Sequence, residues 1–187
     1  MKSTVQITTE NETPTFYYIF FSTPMGNAFA CSSDKGIAAL LFGEEANLYI
    51  EKNKHTNKSV WIQTRNEYLS RLEKQLSEYF RGQRDKFDLT LDIRGTSFQS
   101  RIWNMIIQIP FGETRFYSEL ATETGDVKKT RAIANAIAQN NILLVIPCHR
   151  VIGIGNKLTG YRGGTERKRW LLEFERTRSQ PNQNLLF

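Results

Sequence analysis

Cys148 and His149 are adjacent in a chain that has only two cysteines and two histidines. A thiol becomes a nucleophile when its thiolate is favoured, and a neighbouring cation or a paired base can do this. Arg150 and His149 are the candidates. The run Ile142-Leu-Leu-Val-Ile146 is too short for a helix of its own and reads as a buried extended segment ending at Pro147. It delivers Cys148 from the core to a glycine-rich stretch, a placement that exposes the thiol. Cys31, inside an apolar run, reads instead as a small buried hydrophobe. A papain-like hydrolase is disfavoured, because a Cys-His pair that must face one another is rarely adjacent in sequence.

Other chemistries are excluded by spacing. Cys31, His55, Cys148 and His149 form no CxxC, HxxxH or HExxH pattern, so no metal is expected. Two cysteines make no disulfide framework and fit a reducing compartment. Five of the 12 glycines fall at 153, 155, 160, 163 and 164, but Gly153-Ile-Gly-Asn-Lys-Leu158 lacks the third glycine of GxGxxG and the GK[ST] of a Walker motif. No nucleotide or other cofactor is expected.

The elements that must position Cys148 follow from periodicity. Phe16–Phe21, Ala28–Cys31 and Ile37–Phe42 are short apolar runs separated by turn residues, the pattern of a β-meander. Thr64 with Glu67 predicts a capping box, after which Tyr68, Leu69, Leu72, Leu76, Tyr79 and Phe80 recur at helical spacing until Gly82. Asp85 to Gly95 is a charged connection. Ser97 can cap a helix with Phe98, Ile102, Met105 and Ile106 inward, ended by Pro110. Tyr117–Thr124, a Gly125-Asp126 turn and Val127–Gln139 have the size of a helix-turn-helix. A last helix, capped by Thr165, runs through Trp170, Leu171, Leu172 and Phe174. The ends, residues 1–14 and about Thr177 to Asn184, are polar and read as frayed. The expected fold is α+β: residues 1–94 form a small antiparallel sheet with a packed helix, and residues 95–187 form a mainly helical domain.

Composition narrows the partner. The 187 residues are 40% apolar and 24% charged, with no apolar run near the roughly 18 residues of a bilayer span and no signal-peptide core, so a cytoplasmic protein is expected. Residues 1–94 hold 12 basic and 12 acidic side chains, whereas residues 95–187 hold 13 and 7; the whole net charge of +6 belongs to the second half. Such asymmetry points to a polyanion, nucleic acid before membrane, since no basic amphipathic helix carries it.

The segment Ile146-Pro-Cys-His-Arg-Val-Ile-Gly153 resembles the acceptor motif of the O6-alkylguanine-DNA alkyltransferases. Similar landmarks appear in family order: Thr23-Pro-Met-Gly26, Leu76-Ser-Glu-Tyr-Phe-Arg-Gly82, Thr96-Ser-Phe-Gln99, Ile109-Pro-Phe-Gly-Glu-Thr114, Tyr117-Ser-Glu-Leu-Ala121, Arg131-Ala-Ile-Ala-Asn-Ala136, Gly160-Tyr-Arg-Gly-Gly164 and Lys168-Arg-Trp-Leu-Leu-Glu-Phe-Glu175. The resemblance implies a monomer that binds double-stranded DNA bearing O6-alkylguanine, extrudes the base and transfers the alkyl group once, irreversibly, to Cys148. By the same resemblance His149 is the base, Glu175 orients it, and Asn140 is a hinge supporting the acceptor strand. Tyr117 presses the base outward and hydrogen-bonds it. Arg131 is the finger filling the vacated stack, and Lys128, Lys129 and Arg150 are DNA-facing cations. Val151, Tyr161 and Arg162 line the guanine pocket. Departures from the usual pattern are Asn141 in place of proline, Phe116 in place of a small residue, and Val127-Lys128 in the usual Pro-Ala region. The competing reading is a non-catalytic lesion-binding DNA module.

Overall fold

A computed structural model describes residues 13–56, 59–158 and 160–179. Three strands, β1 (Thr15–Thr23), β2 (Gly26–Ser33) and β3 (Gly36–Phe42), form the expected meander. Two elements were not foreseen. Helix α1 (Glu44–Thr56) follows β3, and β4 (Val60–Gln63) pairs parallel to β1, making a mixed sheet of order β3-β2-β1-β4 rather than a purely antiparallel one. Helix α2 (Glu67–Phe80) buries Leu69, Leu72, Leu76 and Tyr79, one face of a 3.6-residue period. It starts one residue after Asn66, which corrects the Thr64 assignment: Asn66 Oδ1 accepts from Leu69 N at 3.1 Å, and its amide donates to Ser32 Oγ on β2 at 2.9 Å. The cap is thus anchored on the sheet before the helix begins.

The second half carries α3 (Ser97–Ile107), β5 (Arg115–Phe116), α4 (Tyr117–Glu123), α5 (Thr130–Ala138), β6 (Val151–Ile152) and α6 (Thr165–Ser179). Thr96, not Ser97, caps α3, in a box with Gln99. The helix-turn-helix is α4 and α5, joined by Gly125 and a 3-10 turn at Val127–Lys129. Helix α6 opens at Thr165 and continues to Ser179, so the first residues of the expected frayed tail are helical; the rest of that tail, residues 1–12 and the side chain of His55 lie outside the described residues.

The two halves share one continuous core, from Phe16 and Leu41 to Ile102, Ile137 and Leu171. They also share backbone bonds along β3. The charged connection runs beside it, with Ile37 N donating to Thr90 O and Asp92 N to Ile37 O. Further along, Leu40 N donates to Asn141 O and Leu143 N to Leu40 O, so the segment leading to Cys148 completes the sheet edge. Gly36 makes the first of these approaches possible: its φ is +137°, and a Cβ there would lie 2.5 Å from Thr90 O. Gly36→Ala is therefore expected to lower stability by about 2 kcal/mol or more, read as a fall in the urea midpoint; an unchanged midpoint would show that the connection can be displaced freely.

Candidate active site

Residues 142–146 are buried as expected but are not extended. Leu144 has a positive φ of 71°, and Ile146 N donates back to Ile142 O, so the segment doubles over. The reversal lets one side chain serve three acceptors. The Asn140 amide donates to Ile142 O, to Ile146 O at 2.9 Å and to Cys148 Sγ at 3.1 Å, while its Oδ1 accepts from Ile142 N. Cys148 begins a 3-10 turn with His149 and Arg150. It is 3% exposed, which overturns the expectation of an exposed thiol.

Burial pushes the Cys148 thiol up to about 11, against the Asn140 hydrogen bond and the positive charges of Lys168 and Arg162, which lower it. At rest the sulfur is a thiol and needs a base. His149 Nε2 lies 2.9 Å from Glu175 Oε1, which makes Nε2 the protonated nitrogen and leaves Nδ1 as the acceptor. Nδ1 is buried and has no partner among the described residues. Burial keeps the imidazole low despite the opposing charge of Glu175, so it is neutral and able to take a proton. Burial alone would raise Glu175, but His149 and Arg150 outweigh it and hold the carboxyl well below its usual range.

Arg150 is not a phosphate contact. It is 5% exposed, with Nε and Nη2 on the two oxygens of Glu175, each at 2.9 Å, and Nη1 on Ile109 O at 2.6 Å. A carboxylate buried this deeply needs a compensating cation, and Arg150 is committed to that. Lys168, which sequence reasoning missed, is also fully buried, with Nζ 2.6 Å from Val151 O and 5.8 Å from the centre of the Tyr117 ring. Burial lowers it to about 8. Its signal was available: Lys168, Leu171, Leu172 and Glu175 fall at i, i+3, i+4 and i+7 on the buried face of α6.

The surface side is separate. Pairing of Arg115 with Val151 and Phe116 with Ile152 sets Tyr117, the first residue of α4, beside the acceptor turn. Tyr117, Lys128 and Arg131 line a groove of about 880 Å³ that is also walled by Gly153, Ile154, Lys157 and Gly160; Cys148 does not line it. Lys128, Lys129 and Arg131 are exposed, and none joins a salt bridge among the described residues. Behind the groove, Tyr161 is 8% exposed and its hydroxyl has no partner among the described residues. Arg162 points away, to Glu45 Oε2 on α1 at 2.7 Å and to Asn141 Oδ1, so only its backbone is free to line a pocket. The departure at Asn141 thus has a role: it ties the glycine-rich loop to the acceptor segment. Phe116 donates its N–H to Glu119 Oε2 as α4 begins, and Val127 stands exposed in the turn before α5.

Comparison with known proteins gives this arrangement its relatives. Residues 16–93 match the ribonuclease-like domain, and residues 97–177 the DNA-binding domain, of 6-O-methylguanine DNA methyltransferase. The chain belongs to the 6-O-methylguanine DNA methyltransferase family. The methylated-DNA–protein-cysteine methyltransferase of Methanosarcina acetivorans is 36% identical over 159 residues, 85% of this chain and 97% of that protein. That of Mycobacterium tuberculosis H37Rv is 49% identical over 111 residues, 59% of this chain and 67% of that protein. The crystal structure of M. tuberculosis OGT in complex with DNA matches at a TM-score of 0.74 and 37% identity, covering 87% of this chain and 94% of that one. In this member of the methyltransferase family the buried cluster and the basic groove therefore sit in a known architecture.

The ionised state of Glu175 makes a signed prediction. A carboxyl whose folded value lies below its unfolded value of about 4.3 adds stability that is fully present above about pH 5 and is lost as acid approaches the folded value. Glu175→Gln is expected to remove about 3 kcal/mol at neutral pH, because Arg150 is left buried without a counter-charge. It is also expected to flatten the fall in denaturation midpoint between pH 5 and pH 3 relative to the parent, both read from urea titrations.

Proposed function

We propose that the protein repairs O6-alkylguanine in double-stranded DNA by one irreversible transfer of the alkyl group to Cys148. The observation that carries this is the pairing of a buried thiol, bonded by Asn140 and next to a neutral His149 held by Glu175, with a groove edged by exposed cations. Family membership supports it, as do relatives named methylated-DNA–protein-cysteine methyltransferases and the DNA complex of M. tuberculosis OGT. Lys128 and Lys129 meet phosphates, Arg131 fills the gap left in the base stack, and Tyr117 presses the extruded guanine toward the sulfur.

In the chemical step His149 Nδ1 takes the thiol proton, relayed by water, and Glu175 stabilises the imidazolium. The sulfur attacks the alkyl carbon, the C–O6 bond breaks, and guanine departs with its electrons, receiving a proton from or through the Tyr117 hydroxyl. Lys168 and Arg162 lower the cost of the thiolate. The product is a thioether. Cys31, the other cysteine, is fully buried and pushed up to about 12, so it is no acceptor for the return of the alkyl group. Each molecule acts once, as a monomer in the cytoplasm.

Incubating the protein with duplex carrying O6-methylguanine is expected to add one methyl group, located on the Cys148 peptide by mass spectrometry. An unmodified Cys148 after prolonged reaction, with the lesion intact and still bound, would establish the lesion-binding module instead. Arg131→Ala is expected to slow transfer at limiting DNA by 10-fold or more, the effect of about 1.4 kcal/mol of lost stabilisation of the extruded base, while leaving the urea midpoint unchanged because the side chain is exposed.

A further inference from the structure

Tyr79 lies on α2, in the half of the chain that holds none of the groups assigned to the reaction, yet its hydroxyl is 2.6 Å from Glu175 Oε1, across 96 positions of sequence. It is fully buried. Burial and the neighbouring carboxylate both push the phenol far above its ordinary value, so it stays protonated at every working pH and can only donate to Glu175. The oxygen it meets is the one that His149 Nε2 also contacts.

Orientation of the carboxylate does not need this bond. Arg150 grips both oxygens and Gly112 N donates to Oε2 at 3.2 Å, which already fixes the plane of the group. What the phenol adds is electrical. A donor on Oε1 withdraws negative charge from the atom that must stabilise a proton on His149. We propose that Tyr79 is a positioning residue that acts through Glu175 to limit how firmly His149 holds a proton, making the amino-terminal half part of the proton-handling machinery. The charged and titratable groups facing His149 are Glu175 and Lys168 from α6, Arg150 and Cys148 from its own turn, and Tyr161, whose ring centre is 6.4 Å away. Tyr79→Phe removes none of these groups and takes away only the hydroxyl that meets Glu175 Oε1. The ring itself packs on Phe80, Phe87, Phe111 and Phe174, contacts that a phenylalanine keeps.

The inference rests on the alkyl-transfer reading, and the test separates the two. In the full-length protein, Tyr79→Phe is expected to raise the acid limb of the single-turnover methyl-transfer rate by about 0.5 to 1 pH unit. The His149 imidazole, followed by NMR without DNA in a chain with only one other histidine, moves upward in step. Fluorotyrosine at position 79, a stronger donor of the same shape, shifts both in the opposite direction. A slower rate with neither midpoint moved, or equal shifts for both variants, overturns the role and leaves Tyr79 as packing. Absence of methyl transfer in the parent protein would instead overturn the alkyl-transfer reading, and the NMR titrations would still decide on Tyr79.

Discussion

Taking a carboxylate out of water costs several kcal/mol unless other donors replace the solvent, and Glu175 is 1% exposed. Its two oxygens receive Tyr79 from α2, Gly112 from the turn after α3, and His149 and Arg150 from the acceptor turn. Helix α2, the turn after α3 and the acceptor turn are therefore tied to one side chain of α6. A carboxylate offers about four lone-pair positions, so the group is saturated and no segment can shift without leaving a buried donor unmet. The cluster defines one arrangement of the acceptor turn more than it adds to stability.

The cations of the second half divide into two kinds with different work. Arg150 and Lys168 are inside, where low polarisability makes a single charge count for the sulfur and its base. Lys128, Lys129 and Arg131 are outside, where a polyanion can meet them and where salt screens them. Net charge counts both kinds alike. It rightly signals a polyanionic partner and says nothing about which side chains touch it.

What could be read in the sequence follows the range of the forces involved. The meander and α2 declare themselves through local period and turn residues such as Thr23-Pro-Met-Gly26. Helix α1 escapes notice because its apolar stripe, Ala46, Tyr49 and Ile50, is narrow among charged neighbours, and β4 because four residues carry no period. Asn140, His149 and Glu175 were legible through resemblance, and the structure brings them together with Cys148. Two errors at the site have one source. A leucine gives no local sign that it will take a positive φ, so the reversal at Leu144 that buries Cys148 was invisible. Likewise nothing near Arg150 shows that Glu175, 25 residues on, will claim it. Tyr79 needed the packing of α2 against α6, which no local pattern encodes.

The outer edge of β3 has a consequence for how the chain is made. Leu40 leaves a ribosome about 100 residues ahead of its backbone partners, Asn141 and Leu143. Until then part of the strand's edge stays open, and pairing must close a long loop, the slow kind of contact. The sheet is thus synthesised ahead of the acceptor segment but finished only with it. Its completion coincides with the arrival of the segment that carries the thiol, so a nascent chain cannot assemble its reactive centre before the architecture that shields it.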